Sequence, residues 1–198
     1  FPKVDEVKTK SVSTVWTSQW KAIKGIHKLL KHIPKIKGKM DLYSCGILYY
    51  QLRTSDDWLA AIGKDKFKGF NGKGKATYHG WIELLDIPKV LSKAWFMIDL
   101  QGMGNPRYKV YKQGSINLTT AEALYYGACP VLHEQVLESG IPKDLIVVVE
   151  DESQVPKAIA DNKKFASDPK RIKKAKAWAN KNFNVKRLYD KIVLGEFK

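Results

Sequence analysis

Three short apolar runs limit what this chain can fold into: Trp95-Phe-Met-Ile-Asp-Leu100, Ala128-Cys-Pro-Val-Leu132 and Leu145-Ile-Val-Val-Val149. Each is nearly continuous in apolar residues rather than alternating with polar ones, the pattern of a strand buried on both faces. Upstream, Ser11-Val-Ser-Thr-Val-Trp-Thr17 alternates β-branched residues, Asp41-Leu-Tyr-Ser-Cys45 ends at Gly46, and Ala76-Thr-Tyr-His79 is closed by Gly80. All three read as strands.

The segments between them read as helices. Ile23, Ile26, Leu29, Leu30 and Ile33 share one helical face, and Pro34 is expected to end that helix. Trp81 to Ala94 is expected to be helical, with Pro88 as a break or second start, and Thr119 to Tyr126 is a short helix with Gly127 at its left-handed C-terminal position. Val155 to Phe165, Pro169 to Lys181 and Val185 to Leu194 complete the set. A short helix is also expected within 47–62, and Gly63 to Lys75, with four glycines and five lysines, reads as a mobile basic loop. Gly102 to Gly114 reads as an irregular loop carrying Arg107, Lys109 and Lys112. Strands alternating with helices predict an α/β fold, Rossmann-like, with a mostly parallel sheet covered on both faces. Ligands of such sheets bind beyond the carboxyl ends of the strands.

Length and composition fit one domain of 198 residues, with residues 1–10 as a Lys-rich linker and 11–198 as the folded unit. A hydrophobic content of 44% and six Trp exclude a disordered chain. No apolar run approaches the ~20 residues of a membrane span. The chain begins at Phe1 and is expected to be a fragment, with any targeting signal outside it. Cys45 and Cys129 lie in apolar strands without metal spacing, which reads as buried thiols in a reducing, cytoplasmic compartment. A net charge of +15 favours a polyanionic partner, nucleic acid first and an anionic membrane surface second, against the plainer alternative of a Lys-rich solvated surface.

Chemistry concentrates in the stretch from Gly114 to Leu132, a small polar loop leading into a helix and then a strand. The amides at the start of such a helix, with its partial positive charge, make an anion site suited to phosphate. Glu122 lies one turn in, within reach of a nucleotide's sugar hydroxyl. The same residues also admit a capping box, Thr119-x-x-Glu122, in which the carboxylate only satisfies a backbone N–H. Elsewhere, Gly102-Met-Gly104 lacks the third glycine of a dinucleotide fingerprint, and there is no Walker A motif. Asp56-Asp57 and Glu150-Asp-Glu152 are acidic pairs without ligand partners, read as a helix cap and a loop.

The order Glu122-Ala-Leu-Tyr-Tyr-Gly-Ala-Cys-Pro-Val131 resembles the Glu-Ala-x-x-x-Gly-x-x-Pro-Val signature of the large retaining GT-B glycosyltransferase family, family-4-like. The resemblance covers roughly residues 12 to 194 and is to the C-terminal, nucleotide-sugar-binding half of those enzymes. It implies a hexosyl-type glycosyltransferase whose N-terminal, acceptor-binding domain is missing from this chain. The donor substrate would be an NDP-sugar, with no cofactor and no metal. Lys24-Gly25 matches the family's turn after the first strand, where Arg and Lys grip the donor diphosphate. Gln19 stands where the Arg would be, with Lys21 placed to fill in. Tyr78-His79 falls at the turn over the nucleobase, although a lone His at a strand end also reads as structural. Asn117 and Leu118 match positions whose amides meet the diphosphate, and Thr119 follows them into the helix. Lys24 and Glu122 are the residues implied for catalysis, Lys24 for the leaving diphosphate and Glu122 for the ribose. Gly114 stands where the family has a second Glu that binds the donor sugar, which implies another donor, a residue from elsewhere or lost activity.

Trp20-Lys-Ala-Ile-Lys-Gly25 and Leu91-Ser-Lys-Ala-Trp-Phe96 more loosely resemble the α-glucosyltransferases that T-even bacteriophages use on hydroxymethylated DNA bases. With the charge, this implies DNA as acceptor and a host-cytoplasmic location for a phage-encoded protein. Two other readings stand beside it: a cell-envelope glycosyltransferase whose lysines meet anionic lipid, and a non-catalytic nucleic-acid-binding module on a Rossmann-like scaffold.

Overall fold

In a computed structural model, the described residues are 12–17, 28–29, 32–44, 76–100 and 116–184. Among them six strands form one sheet: β1 (Ser13–Thr17), β2 (Lys39–Ser44), β3 (Ala76–Trp81), β4 (Phe96–Asp99), β5 (Cys129–His133) and β6 (Val147–Val149). Every pairing is parallel, in the order β3-β2-β1-β4-β5-β6. That is the doubly wound order, whose crevice opens where the strand order reverses, between β1 and β4. The helices are α1 (Ile87–Lys93), α2 (Leu118–Tyr125), α3 (Val155–Asp161), α4 (Lys163–Ala166) and α5 (Pro169–Phe183). The expected Rossmann-like α/β fold is the observed one.

Both faces of the sheet are covered, as the continuous apolar runs require. On one, Met40, Leu42, Phe96, Ile98 and Val131 pack against Leu29, Ile33 and α3's Val155 and Ile159. On the other, Val15 and Met97 meet Ile87 and Leu91 of α1 and Ala123 of α2. Farther along, Leu132 and α2's Ala121 and Leu124 share a cluster with Ala175 and Ala179 of α5. All four β4 residues are buried, and each large side chain there contributes ~1.5–3 kcal/mol of burial.

Several boundaries moved for identifiable reasons. The helix expected from Trp81 begins only at Ile87: Trp81 ends β3, and Leu84–Asp86 is a 3-10 turn. Pro88 therefore sits in the first turn of α1, where its missing N–H costs nothing. The helix expected over 155–165 is two, divided at Asn162, which has left helical geometry and whose side chain donates to Ala158 O at 2.9 Å. β6 is shorter than its apolar run, because Lys143–Leu145 turns as a 3-10 segment after Pro142. Pro34 lies within a 3-10 turn, Ile33–Lys35, rather than just beyond a helix. Before β2, Gly38 has φ +109 and a Cβ there would meet Val12 O at 2.4 Å, so only glycine fits. The segments expected over 1–11, 18–27, 45–75, 101–115 and 185–194 lie outside the described residues. Among the described residues no helix is long and apolar enough to cross a membrane.

Candidate functional site

A parallel sheet brings all its carboxyl ends to one edge, and Thr17, Asp99 and His133 end three adjacent strands there. The start of α2 reaches the same edge. Asn117 caps it in extended conformation (φ −74, ψ 158), its Oδ1 accepting from Thr120 N at 2.8 Å. The first helical bond is Ala121 N to Asn117 O at 3.2 Å. Between cap and first turn, the amides of Leu118 and Thr119 donate to no described residue. With the helix dipole they form a small electropositive mouth. Leu118 is 46% exposed, so the mouth opens to solvent.

Asp99 holds this cap in place. It is fully buried at the end of β4, and Asn117 Nδ2 donates to its Oδ2. The Asn117 amide is therefore oriented at both ends, oxygen to the helix and nitrogen to the carboxylate. The sequence reading missed Asp99, although its signal was present: one carboxylate in an otherwise apolar strand must find a donor. His133 was missed as well. Its Nδ1 accepts from Gln135 N at 3.3 Å, capping the 3-10 turn Glu134–Ser139.

Asn117, Leu118 and Thr119 come together at the mouth, with Asn117 serving as cap and Leu118 and Thr119 supplying the open amides. Thr119 is inside the helix, so the capping box it would have headed does not form; Glu122 is five residues past the true cap instead of three. Glu122 is 2% exposed. The backbone of Tyr78 pairs with Leu42 in β3. His79 is engaged within the sheet: Nε2 donates to Asp41 Oδ1 at 2.6 Å and the ring stacks on Tyr43 at 4.6 Å. Lys39 Nζ reaches the same carboxylate at 3.0 Å. Burial, helped by the charge of Asp41, raises the Tyr43 phenol above its ordinary pKa. Gln19, Lys21, Lys24, Gly25 and Gly114 lie outside the described residues. Of the acidic pairs, Asp151 is a cap: it accepts from Ser153 N at 2.7 Å, and its hydrogen bonds from Ser153 lower its pKa. Among the described residues no three His, Cys, Asp or Glu side chains group as a metal site.

The opposite end of α2 is closed. Gly127 takes φ +87 after the last turn. Arg171 of α5, 4% exposed, donates to Gly127 O at 2.8 Å, Ala166 O at 3.0 Å and Leu145 O at 3.3 Å. Desolvation lowers its pKa, an effect opposed by nearby negative charge including Asp168.

No protein-family model matches the sequence, and no curated protein matches it. Solved structures do match, among them GT-B glycosyltransferases. One is Anabaena Alr3699/HepE in complex with UDP and glucose, 14% identical, matching 92% of this chain and 47% of that one with a TM-score of 0.60. Another is sucrose-phosphate synthase from Thermosynechococcus elongatus, at 13%, 98%, 50% and 0.62. A third is a UDP-forming α,α-trehalose-phosphate synthase from Burkholderia vietnamiensis, at 12%, 93%, 43% and 0.60. At such identities the likeness is one of fold, and this chain has the Rossmann-like fold of GT-B proteins. It spans about half the length of these neighbours.

Proposed function

We propose that this chain is the nucleotide-sugar-binding half of a retaining glycosyltransferase, with the donor diphosphate at the start of α2. The open amides of Leu118 and Thr119, at the carboxyl edge of the doubly wound sheet, carry this reading. Fold neighbours include a protein in complex with UDP-glucose. As the glycosidic bond breaks, negative charge gathers on the leaving nucleoside diphosphate, and donors fixed in advance stabilise it. Lys24 would add the full positive charge, and Glu122 would hold the ribose. The acceptor half of the cleft would come from a further domain. The +15 charge supports a polyanionic acceptor, and we take it to be DNA. Gln19 and Gly114, in place of the family's Arg and Glu, favour a second reading, a non-catalytic module on the same scaffold.

Thermal stabilisation by a panel of nucleoside diphosphates and their sugars tests this. The expected result is a shift with one base, weakened by about 1–3 kcal/mol in Lys24→Ala, the range for a polar group left without its hydrogen-bond partner. A chain that responds to no nucleotide leaves only the second reading. Glu122→Gln should lose affinity without losing thermal stability if the carboxylate meets ribose.

A further inference from the structure

The exposed face of α5 carries Lys170, Lys173, Lys174, Lys176 and Lys181, and no acidic residue occurs between Pro169 and Phe183. Arg171, Ala175 and Ala179 mark the opposite, buried stripe. At 100° per residue the five lysines spread over one side of the cylinder, away from that stripe. Lys174 pairs with Asp144, and Lys176 lies over the Tyr125 ring at 5.4 Å. Lys170, Lys173 and Lys181 make no ion pair with any described residue.

The direction of this stripe matters. Arg171 reaches Gly127, just past the end of α2, and Lys176 reaches Tyr125, so the two helices run antiparallel. Phe183, at the far end of α5, joins the same cluster as Ile116, just before α2. The lysines thus line a rod about 22 Å long that leads to the edge where the Leu118 and Thr119 amides open.

We propose that the lysine face of α5 is a docking surface for duplex DNA. A helix that lies on a membrane sinks an apolar face among the headgroups. The apolar side of α5 is spent against α2, and besides the lysines its exposed residues are Pro169, Ala177, Asn180 and Asn182. Leu84, Leu85 and Leu118, the exposed large hydrophobics among the described residues, all lie elsewhere. What remains is a rigid row of cations, which suits the regular phosphate charge of a duplex. That the docked DNA is the acceptor rests on the proposed function; the docking itself does not.

The test compares Lys170→Gln/Lys173→Gln/Lys174→Gln/Lys181→Gln with a control of equal charge, Lys35→Gln/Lys37→Gln/Lys89→Gln/Lys143→Gln, in the whole chain. Gln is nearly as good a helix former as Lys, and circular dichroism verifies the fold. Affinity for a short duplex is measured against salt. Four lost phosphate contacts should flatten the log–log slope by about 3.6, so that raising salt from roughly 50 to 200 mM weakens the wild type about 150-fold more than the α5 variant. The control should keep most of the wild-type slope. Equal flattening in both variants overturns the proposal, since net charge alone would then explain binding. So does tighter binding to phosphatidylglycerol vesicles than to duplex, with the same four lysines responsible. Nucleotide-induced thermal shifts are read on the same proteins. Their absence in the wild type breaks the donor-site reading while leaving the DNA surface standing, and normal shifts in an α5 variant that has not lost DNA binding do the reverse.

Discussion

At the start of α2, two amides donate to no described residue, and a single asparagine, steadied by a buried aspartate, holds the chain in place. At its end, a left-handed glycine turns the chain, and a buried arginine takes up the carbonyl of that glycine together with two others. One end keeps backbone donors available and the other removes acceptors from solvent. The difference separates binding from stability within one short helix: substitutions at the closed end should act on folding, those at the open end on ligand affinity as well.

The largest expected effect is at the closed end. Arg171→Met keeps the length of the side chain but leaves Gly127 O, Ala166 O and Leu145 O without their donor in a dry environment. A buried unsatisfied polar group costs about 1–3 kcal/mol, and some of these carbonyls will find water, so a loss of about 3–5 kcal/mol in urea unfolding is expected. The protein that remains folded should bind nucleoside diphosphate with unchanged affinity. Loss of affinity in the folded fraction would mean that the two ends are not separable.

Next is Asn117→Ala at the open end. It removes an N-cap, worth about 0.5–2 kcal/mol, and strips the buried Asp99 carboxylate of a donor. Stability should fall by about 2 kcal/mol, and diphosphate affinity should fall with it because the helix start loosens. Asn117→Asp separates the two causes. It restores the cap but places two carboxylates together, so affinity should stay low even where helix stability recovers. An affinity that recovers along with the cap would show that Asp99 plays no part in holding the site.

How far these ends could be read from the chain depends on what fixes each. The strands were legible because burial on both faces leaves a one-dimensional trace, the apolar run, and Gly127 because a helix end followed by an apolar strand needs a turn. The N-terminus of α2 was located, but its cap was not: Asn117 and Thr119 are both good capping residues, and the choice was made by Asp99, eighteen residues earlier in sequence. Arg171 was hidden for a related reason. It stands in a run of lysines, and only its i, i+4, i+8 spacing with Ala175 and Ala179 sets it on the buried stripe. His79 shows the limit from the other side, since its partners Asp41 and Tyr43 come from a neighbouring strand that local pattern cannot pair with it.

The smallest effect tests the separation itself. Gly127→Ala forces a Cβ into the left-handed region, costing about 1–2 kcal/mol. The two ends of α2 are about 12 Å apart, and effects at sites more than 7–10 Å apart with no shared partner usually add to within about 0.5 kcal/mol. The double variant Asn117→Ala/Gly127→Ala should therefore lose the sum of the single losses, and its affinity should match that of Asn117→Ala alone. A coupling above about 1 kcal/mol would mean that the ends communicate along α2. Arg171, which joins α2 to α5, would then belong to the binding site's support as well as to the fold, and the distinction between an open and a closed end would no longer hold.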